Sequence, residues 1–381
     1  MRSSEYTIIL YNTSGVKQAV FDTSAFQFAE FTHDCNGMGS FQITLKGDDE
    51  RIPLFGLDYI INVRRRNKLY GLDWYTEWEG LKRDELRTTG ENGEKLYTAV
   101  AVGYNHLLKR RHILYPEKTA YSAKNDVGES VMKAYVNENA GPGATNPPRT
   151  QGQGVITGLT IAADTAVGGI WEGDRAGRNL LDVLVEIATS SRVDFDVIGT
   201  NIGEFEFRTY EFQRGVNRST VGLSAVTALN SFGNVPVIFI PKNDTMTAIE
   251  YTLSRSSEIT RVIVNGKGEG ASRMSVTVDN AAAIIESPWN QIETVVTSSQ
   301  ESETDALTNI GEVYLYDYGA REDLSFQALQ QPSALYGLHY SWGDIISARY
   351  DEKYFDKKIN SVTIRVDESG ETINPEFIDV N

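Results

Sequence analysis

Three stretches of this chain carry residue types that could do chemistry. Thr32-His33-Asp34-Cys35 sets an imidazole, a carboxylate and a thiol side by side, the makings of a cysteine nucleophile or a metal site. Adjacent strand residues point to opposite faces, so this spacing disfavours a catalytic dyad. His106, His112 and His339 show no H-x-x-x-H pairing, and the single cysteine excludes an internal disulfide and a multi-cysteine zinc site. Trp74-Tyr75-Thr76-Glu77-Trp78-Glu79 is the better candidate, because glycosidases place carboxylates beside sugar-stacking aromatic rings. On a regular strand, however, Glu77 and Glu79 share one face while Trp74, Thr76 and Trp78 occupy the other. A solvated acidic face opposite a buried aromatic one is the plainer reading. Val264-Asn265-Gly266-Lys267-Gly268-Glu269-Gly270 places a lysine among glycines but lacks the G-x-x-x-x-G-K-[ST] spacing and the helix that a phosphate-cradling loop needs. Its Asn-Gly pair reads instead as a hairpin turn. No catalytic, cofactor-binding or metal-ligating residue is assigned.

Composition narrows the classes further. The chain has 381 residues, 40% of them apolar, and its length favours two to four domains. Lys+Arg 36 against Asp+Glu 52 leaves a net charge of −16, which repels a nucleic-acid duplex or an anionic membrane on average. Arg64-Arg65-Arg66 and Lys109-Arg110-Arg111 are local exceptions and read as solvated strand ends or turns. No apolar run approaches the roughly 20 residues of a membrane span, and the opening MRSSEYTIIL is too short in apolar residues for a signal peptide. These features predict a chain made and kept soluble, with no membrane anchor.

The elements that would position such residues are mostly strands. Short alternating runs, YTIILY, QAVFD, FQFAEF and GSFQITL, read as a β-meander over residues 6–45. A helix is expected over residues 125–139 and a stronger one over 178–190, with Asp174 as its N-cap, answered by a hairpin of Val193, Phe195, Val197 and Phe205, Phe207, Thr209. The Gly- and Pro-rich stretch 141–154 reads as a loop or linker. Further on, Ser302 to Asp305 has the form of a capping box opening an amphipathic helix. The clearest strand pair lies in residues 336–366, with 351–358 as its turn. Its entry, Gly343-Asp344-Ile345-Ile346-Ser347-Ala348-Arg349, echoes Gly56, Asp58 and Ile60-Ile61-Asn62-Val63-Arg64, which suggests one β-module used twice.

Several of these patterns fall in an order that resembles bacteriophage tail hub proteins, the tail-tip or baseplate-hub family. Gly39-Ser40-Phe41 is similar to the first barrel strands of that family, and Val100-Ala101-Val102-Gly103-Tyr104 with Leu107-Leu108-Lys109-Arg110-Arg111 to the end of its first barrel. Asn179-Leu180-Leu181-Asp182-Val183-Leu184, Phe195-Asp196-Val197 and Gly215-Val216-Asn217-Arg218-Ser219 resemble its central helix, hairpin and G-x-D-R-[ST] segment. Tyr336-Gly337 and residues 340–345 resemble the strand entry of its second barrel. Two departures are Asn217, where the pattern usually has Asp, and Ala176-Gly177 at the start of the helix.

The resemblance implies a mainly β protein with α+β insertions, in which two similar β-barrel-like tube domains flank a central helix-plus-hairpin domain. Residues 1–112 would be the first barrel, completed by a strand within 205–235. Residues 113–212 would be the central domain, 235–300 with 336–381 the second barrel, and 301–335 an inserted helical segment. It also implies a structural virion protein without enzymatic activity or cofactor, a homotrimeric hub at the tail tip that adapts the sixfold tube to a threefold tip and lines part of the DNA channel. Its expected partners are the distal tail protein and tail tube proteins. Because the chain stops at Asn381, wall-degrading and receptor-binding activities are expected on other chains. The alternative is a glycan-binding or glycan-cleaving tail enzyme using Glu77 and Glu79 beside Trp74 and Trp78.

Overall fold

The computed structural model describes residues 4–149 and 153–380. The chain opens with seven antiparallel strands: β1 (Glu5–Tyr11), β2 (Lys17–Asp22), β3 (Phe28–Asp34), β4 (Ser40–Lys46), β5 (Ile60–Asn67), β6 (Leu72–Thr89) and β7 (Lys95–Gly103). Alternation decides their faces, as the sequence predicts: Tyr6, Ile8 and Leu10 of β1 and Ala29, Phe31 and His33 of β3 turn inward. The strand order is β2-β1-β5-β6-β7-β4-β3.

A short helix, α1 (His106–Lys109), leads into an α+β region of β8 (Ala123–Val127), α2 (Gly128–Asn139), β9 (Leu159–Ile161), β10 (Ile170–Asp174), α3 (Leu180–Ser191), β11 (Val193–Asn201) and β12 (Glu204–Glu211). The helix expected over 125–139 begins only at Gly128, because residues 123–127 pair antiparallel with β10. Asn125 and Asp126 are poor helix formers, which favours that outcome. The second helix is capped by Asn179, whose side chain accepts the N–H of Leu181 at 3.1 Å. Asp174, the expected cap, accepts instead from the amides of Ser122 and Ala176. Leu180, Leu184 and Ile187 of α3 share one core with Phe195 and Phe207 of the β11–β12 hairpin and with Tyr135 and Val136 of α2. Residues 141–149 and 153–154 are irregular, while 150–152 of that expected loop lie outside the described residues.

Two short strands follow, β13 (Asn217–Arg218) and β14 (Ile238–Phe239). The chain then leaves through β15 (Met246–Ser254), forms β16 (Arg261–Asn265), β17 (Ser275–Asp279), α4 (Ala281–Ile284), β18 (Glu293–Thr297) and α5 (Thr304–Asp317), and returns through β19 (Arg321–Ala328). Residues 248–326 are a compact unit of their own, in which α5 covers the sheet β17-β16-β18 around Val262, Val264 and Leu307. Two expectations change here. The capping box does not form: Glu303 stands at the N-cap without a side-chain bond, and the amides of Ser302 and Glu303 are taken by the Glu301 carboxylate. Asn265-Gly266 does not make a two-residue turn, because Asn265 pairs with Ser275 and the loop between them spans 266–274.

The last three strands are β20 (Ile345–Tyr350), β21 (Lys353–Asp367) and β22 (Gly370–Asp379). They join the N-terminal strands and the short β14 in one 12-stranded sheet, whereas residues 248–300 belong to the other compact unit. Residues 353–358 of β21 pair with β20, residues 361–367 pair with β3, and β22 runs along the other side. One long strand therefore carries two branches. The turn expected over 351–358 shrinks to Asp351-Glu352, with Asp351 at φ 50°. Charge hides the strand from its hydrophobic pattern: Lys357 is buried, and its ammonium meets Asp379 at 2.6 Å. β13 and β14 lie one after the other along β20, so a strand from the 205–235 stretch joins this sheet beside β20. Among the described residues none of the sheets closes on itself.

Candidate functional site

Glu77 lies where strand pairing slips. Val63 faces Trp78 but Arg64 faces Thr76, so Glu77 occupies a β-bulge, and it and Trp78 are both buried. The regular alternation that would place Glu77 and Glu79 on one solvated face is thereby broken. The Glu77 carboxylate meets His33 Nε2 at 3.2 Å and accepts from the hydroxyls of Tyr336 at 3.1 Å and Tyr75 at 2.6 Å. The Arg65 guanidinium lies 3.5 Å from its second oxygen. Arg65, the middle of the first basic triplet, is only 3% exposed and also pairs with Glu371 of β22 at 3.2 Å. Burial alone would raise the pKa of Glu77, but the hydrogen bond and charge of His33 and the charge of Arg65 outweigh it and hold it down to about 2.

Of these groups His33 and Glu77 border a cleft of about 270 Å³, lined also by Glu79, Asp196, Arg214 and Trp342 among others. His33 stacks on Trp342 with ring centroids 4.9 Å apart, and the Arg214 guanidinium covers that indole at 3.4 Å. Arg214 also meets Asp196 at 3.0 Å. Glu79 accepts from Asn62, and burial pushes its pKa up. The two glutamates thus line one cleft in opposite electrostatic settings. Neither tryptophan serves as a free sugar platform. Trp78 packs on Phe41 and donates to Thr32 O at 3.2 Å, and Trp74 is covered by the Arg66 guanidinium at 4.5 Å.

The other candidate residues are dispersed. Cys35 is buried against Ile359 O, and burial pushes its thiol up to about 12, the reverse of a nucleophile. His106 Nδ1 accepts from Arg110, and His339 Nδ1 accepts from the Leu335 amide. Among the described residues no group of His, Cys, Asp and Glu could hold a metal ion. In the second basic triplet Arg110 pairs with Asp58 at 2.8 Å and Arg111 donates to Gly154 O.

Two further charge centres are not apparent from local pattern. Asp194 on β11 accepts from Asn36, from Lys358 of β21 and from the Arg214 amide, tying the hairpin to the large sheet. Glu129, in the first turn of α2, accepts from Lys133, Thr165, Thr209 and the Val167 amide. A polar residue in an amphipathic helix gives no local signal that it will be buried. What this arrangement can do chemically is pin distant segments together. Asp344 shows the same use: it accepts from the amides of Val216 at 2.7 Å and Ser341 at 2.9 Å and from Arg218 at 3.1 Å.

The sequence matches the family model of Siphovirus ReqiPepy6 Gp37-like proteins over residues 8–377. No curated protein is significantly similar. Among solved structures, the fold is similar to the 43 kDa tail protein of prophage MuSo2 from Shewanella oneidensis, with a TM-score of 0.55 and 10% identity over 98% of both chains. It is also similar to prophage tail protein gp18 from Listeria monocytogenes, with a TM-score of 0.50 and 10% identity over 97% of this chain and 94% of that one. A tail protein from Neisseria meningitidis gives a TM-score of 0.50 and 11% identity over 97% and 96%. At such identities the likeness is one of fold.

Proposed function

We propose a function from one premise: this chain belongs to the family of Siphovirus ReqiPepy6 Gp37-like proteins. It is a structural component of a bacteriophage tail or baseplate. Within the virion it acts as a homotrimeric hub at the tail tip, adapting the sixfold tube to a threefold tip and forming part of the DNA channel. The observation that carries this reading is the open sheet, whose branches end at β2, at β22 and at the short β13 and β14 with no strand beyond them among the described residues. Unpaired edges of this kind need partners or invite uncontrolled association, and a closed ring of like subunits supplies those partners in register. The two branches that share β21 are read as the two tube-forming halves. Three copies then place six such halves around one axis, beneath the tube and distal tail proteins, with wall-cleaving or receptor-binding chains attached.

The test is the mass and symmetry of the protein in purified particles and in solution. Three copies per tip around a threefold axis are expected. A monodisperse monomer in solution, with no trimer in particles, overturns the reading. Glycan cleavage by Glu77 and Glu79 is not carried further. The ionised partner of such a pair must offer a free oxygen to the sugar or to water, and both oxygens of Glu77 are taken up, one by His33 and Tyr336 and the other by Tyr75 and Arg65.

A further inference from the structure

We infer that the loop of residues 219–236 is a contact between copies of this chain, docking on a neighbouring subunit; this rests on the oligomeric reading above. Residues 219–241 form the longest run in the sequence without Asp, Glu, Lys or Arg, in a chain that is 23% charged overall. The loop nonetheless faces solvent. Val226 is 95% exposed, Val235 61%, Phe232 57%, Val221 49% and Leu223 46%. Single exposed apolar residues are ordinary, but a cluster on one loop without a charge among them marks an interaction surface.

The loop is also held in shape. Asn230 is buried at its centre, donating to the carbonyls of Asn217 and Ser219 and accepting from the amides of Phe232 and Asn234. Asn234 donates to Asn217 O, Ser231 N–H to Val221 O and Val237 N–H to Arg218 O, which closes the base. The Thr220 amide donates to Ser347 Oγ and ties the loop to β20. A surface already ordered in the free chain loses little entropy on docking.

Charge and position select the occupant. Two copies that each carry −16 repel, so the contact between them must fall where no carboxylates meet. The loop also leaves the sheet between β13 and β14, on the edge that ends one branch. An apolar contact there continues an edge that already needs a neighbour.

The test is a photo-crosslinker placed at Val226→Cys. Cys35 is buried and its thiol is pushed up to about 12, so a benzophenone maleimide reacts at position 226 alone. Irradiation of the purified assembly is expected to give a product of twice the chain mass, with the crosslink mapped to another surface of the same sequence. A second variant, Val226→Asp with Phe232→Asp, is expected to weaken self-association by about 10-fold or more while leaving the melting temperature within about 2 °C. An assembly that persists without crosslinks and resists the double substitution overturns the loop contact and leaves the trimer standing. Crosslinking in particles to a different tail protein also overturns it. A wild-type chain that stays monomeric at every concentration and in particles overturns both.

Discussion

Replacing Glu77 with glutamine removes the anion that His33, Tyr75, Tyr336 and Arg65 all address. Breaking a buried, fully bonded ionic group costs on the order of 3 kcal/mol, and Glu77→Gln is expected to lower unfolding stability by about that amount at neutral pH, measured by denaturant titration. The sign with pH follows from the lowered pKa. The Glu77 contribution is complete above about pH 4.5, shrinks as the unfolded chain takes up a proton there, and is gone near pH 2. The difference between wild type and Glu77→Gln should therefore narrow across that window, and a constant difference would contradict it. Glu79 lies two residues away with its pKa raised by burial, so Glu79→Gln relieves a buried charge and should change stability by less than about 1 kcal/mol. Residue types alone could not rank the pair. The bulge that separates their roles depends on how β5 and β6 slip past each other, and periodicity within one strand does not encode that slip. Arg65 was hidden for a related reason: its partners Glu77 and Glu371 lie on other strands.

Local elements were legible wherever their signal was local. The apolar stripe of α3 and the alternation in β11 and β12 mark a helix and a hairpin, and those form within a residue or two of the expected bounds. The partner choices of β21 were not legible, because its pairing with β3 spans most of the chain and leaves no trace in nearby residues. The echoed entries at Asp58 and Asp344 acquire a physical meaning in the fold. Each aspartate receives arginines just before a buried strand, Arg83 and Arg110 at one and Arg218 at the other. Gly343, at φ 84°, and Gly215 sit against each other with no room for a side chain. The segments Gly215-Val216-Asn217-Arg218-Ser219 and Gly343-Asp344 are thus one lock. Asn217, where the family pattern has Asp, uses its side-chain oxygen to accept the Ser219 amide, a role that aspartate fills equally. Asp344→Ala should cost about 2–4 kcal/mol and free the Val216 amide to exchange with solvent before the β21 amides do, as read by hydrogen exchange. Equal protection of both would argue against the lock.

For the whole molecule, the acidic balance bears on the proposed ring and on the wall of the channel that such a ring would form. Lysines and arginines along it would hold passing DNA through counterion release, so the wall of the assembled ring is expected to be acidic or neutral. Of the six basic side chains in the two triplets, Arg65 is buried and Arg110 is paired with Asp58. A reconstruction of the ring with those six pointing into the opening would overturn the expectation. The excursion through residues 248–326 carries a different kind of consequence. Its entering and leaving strands, β15 and β19, pair side by side, and at their base the Leu329 amide donates to Thr245 O at 2.8 Å. The points where the chain departs and resumes are therefore neighbours already. Replacing 248–326 with a short glycine-containing turn should leave a chain that still unfolds cooperatively with a β-type circular dichroism spectrum. In terms of ancestry, such a junction lets the whole excursion be exchanged or lost through two cuts in the gene that flank codons 248–326, without displacing the chain ends left behind in the sheet, so lineages can diverge in this segment while that sheet is kept.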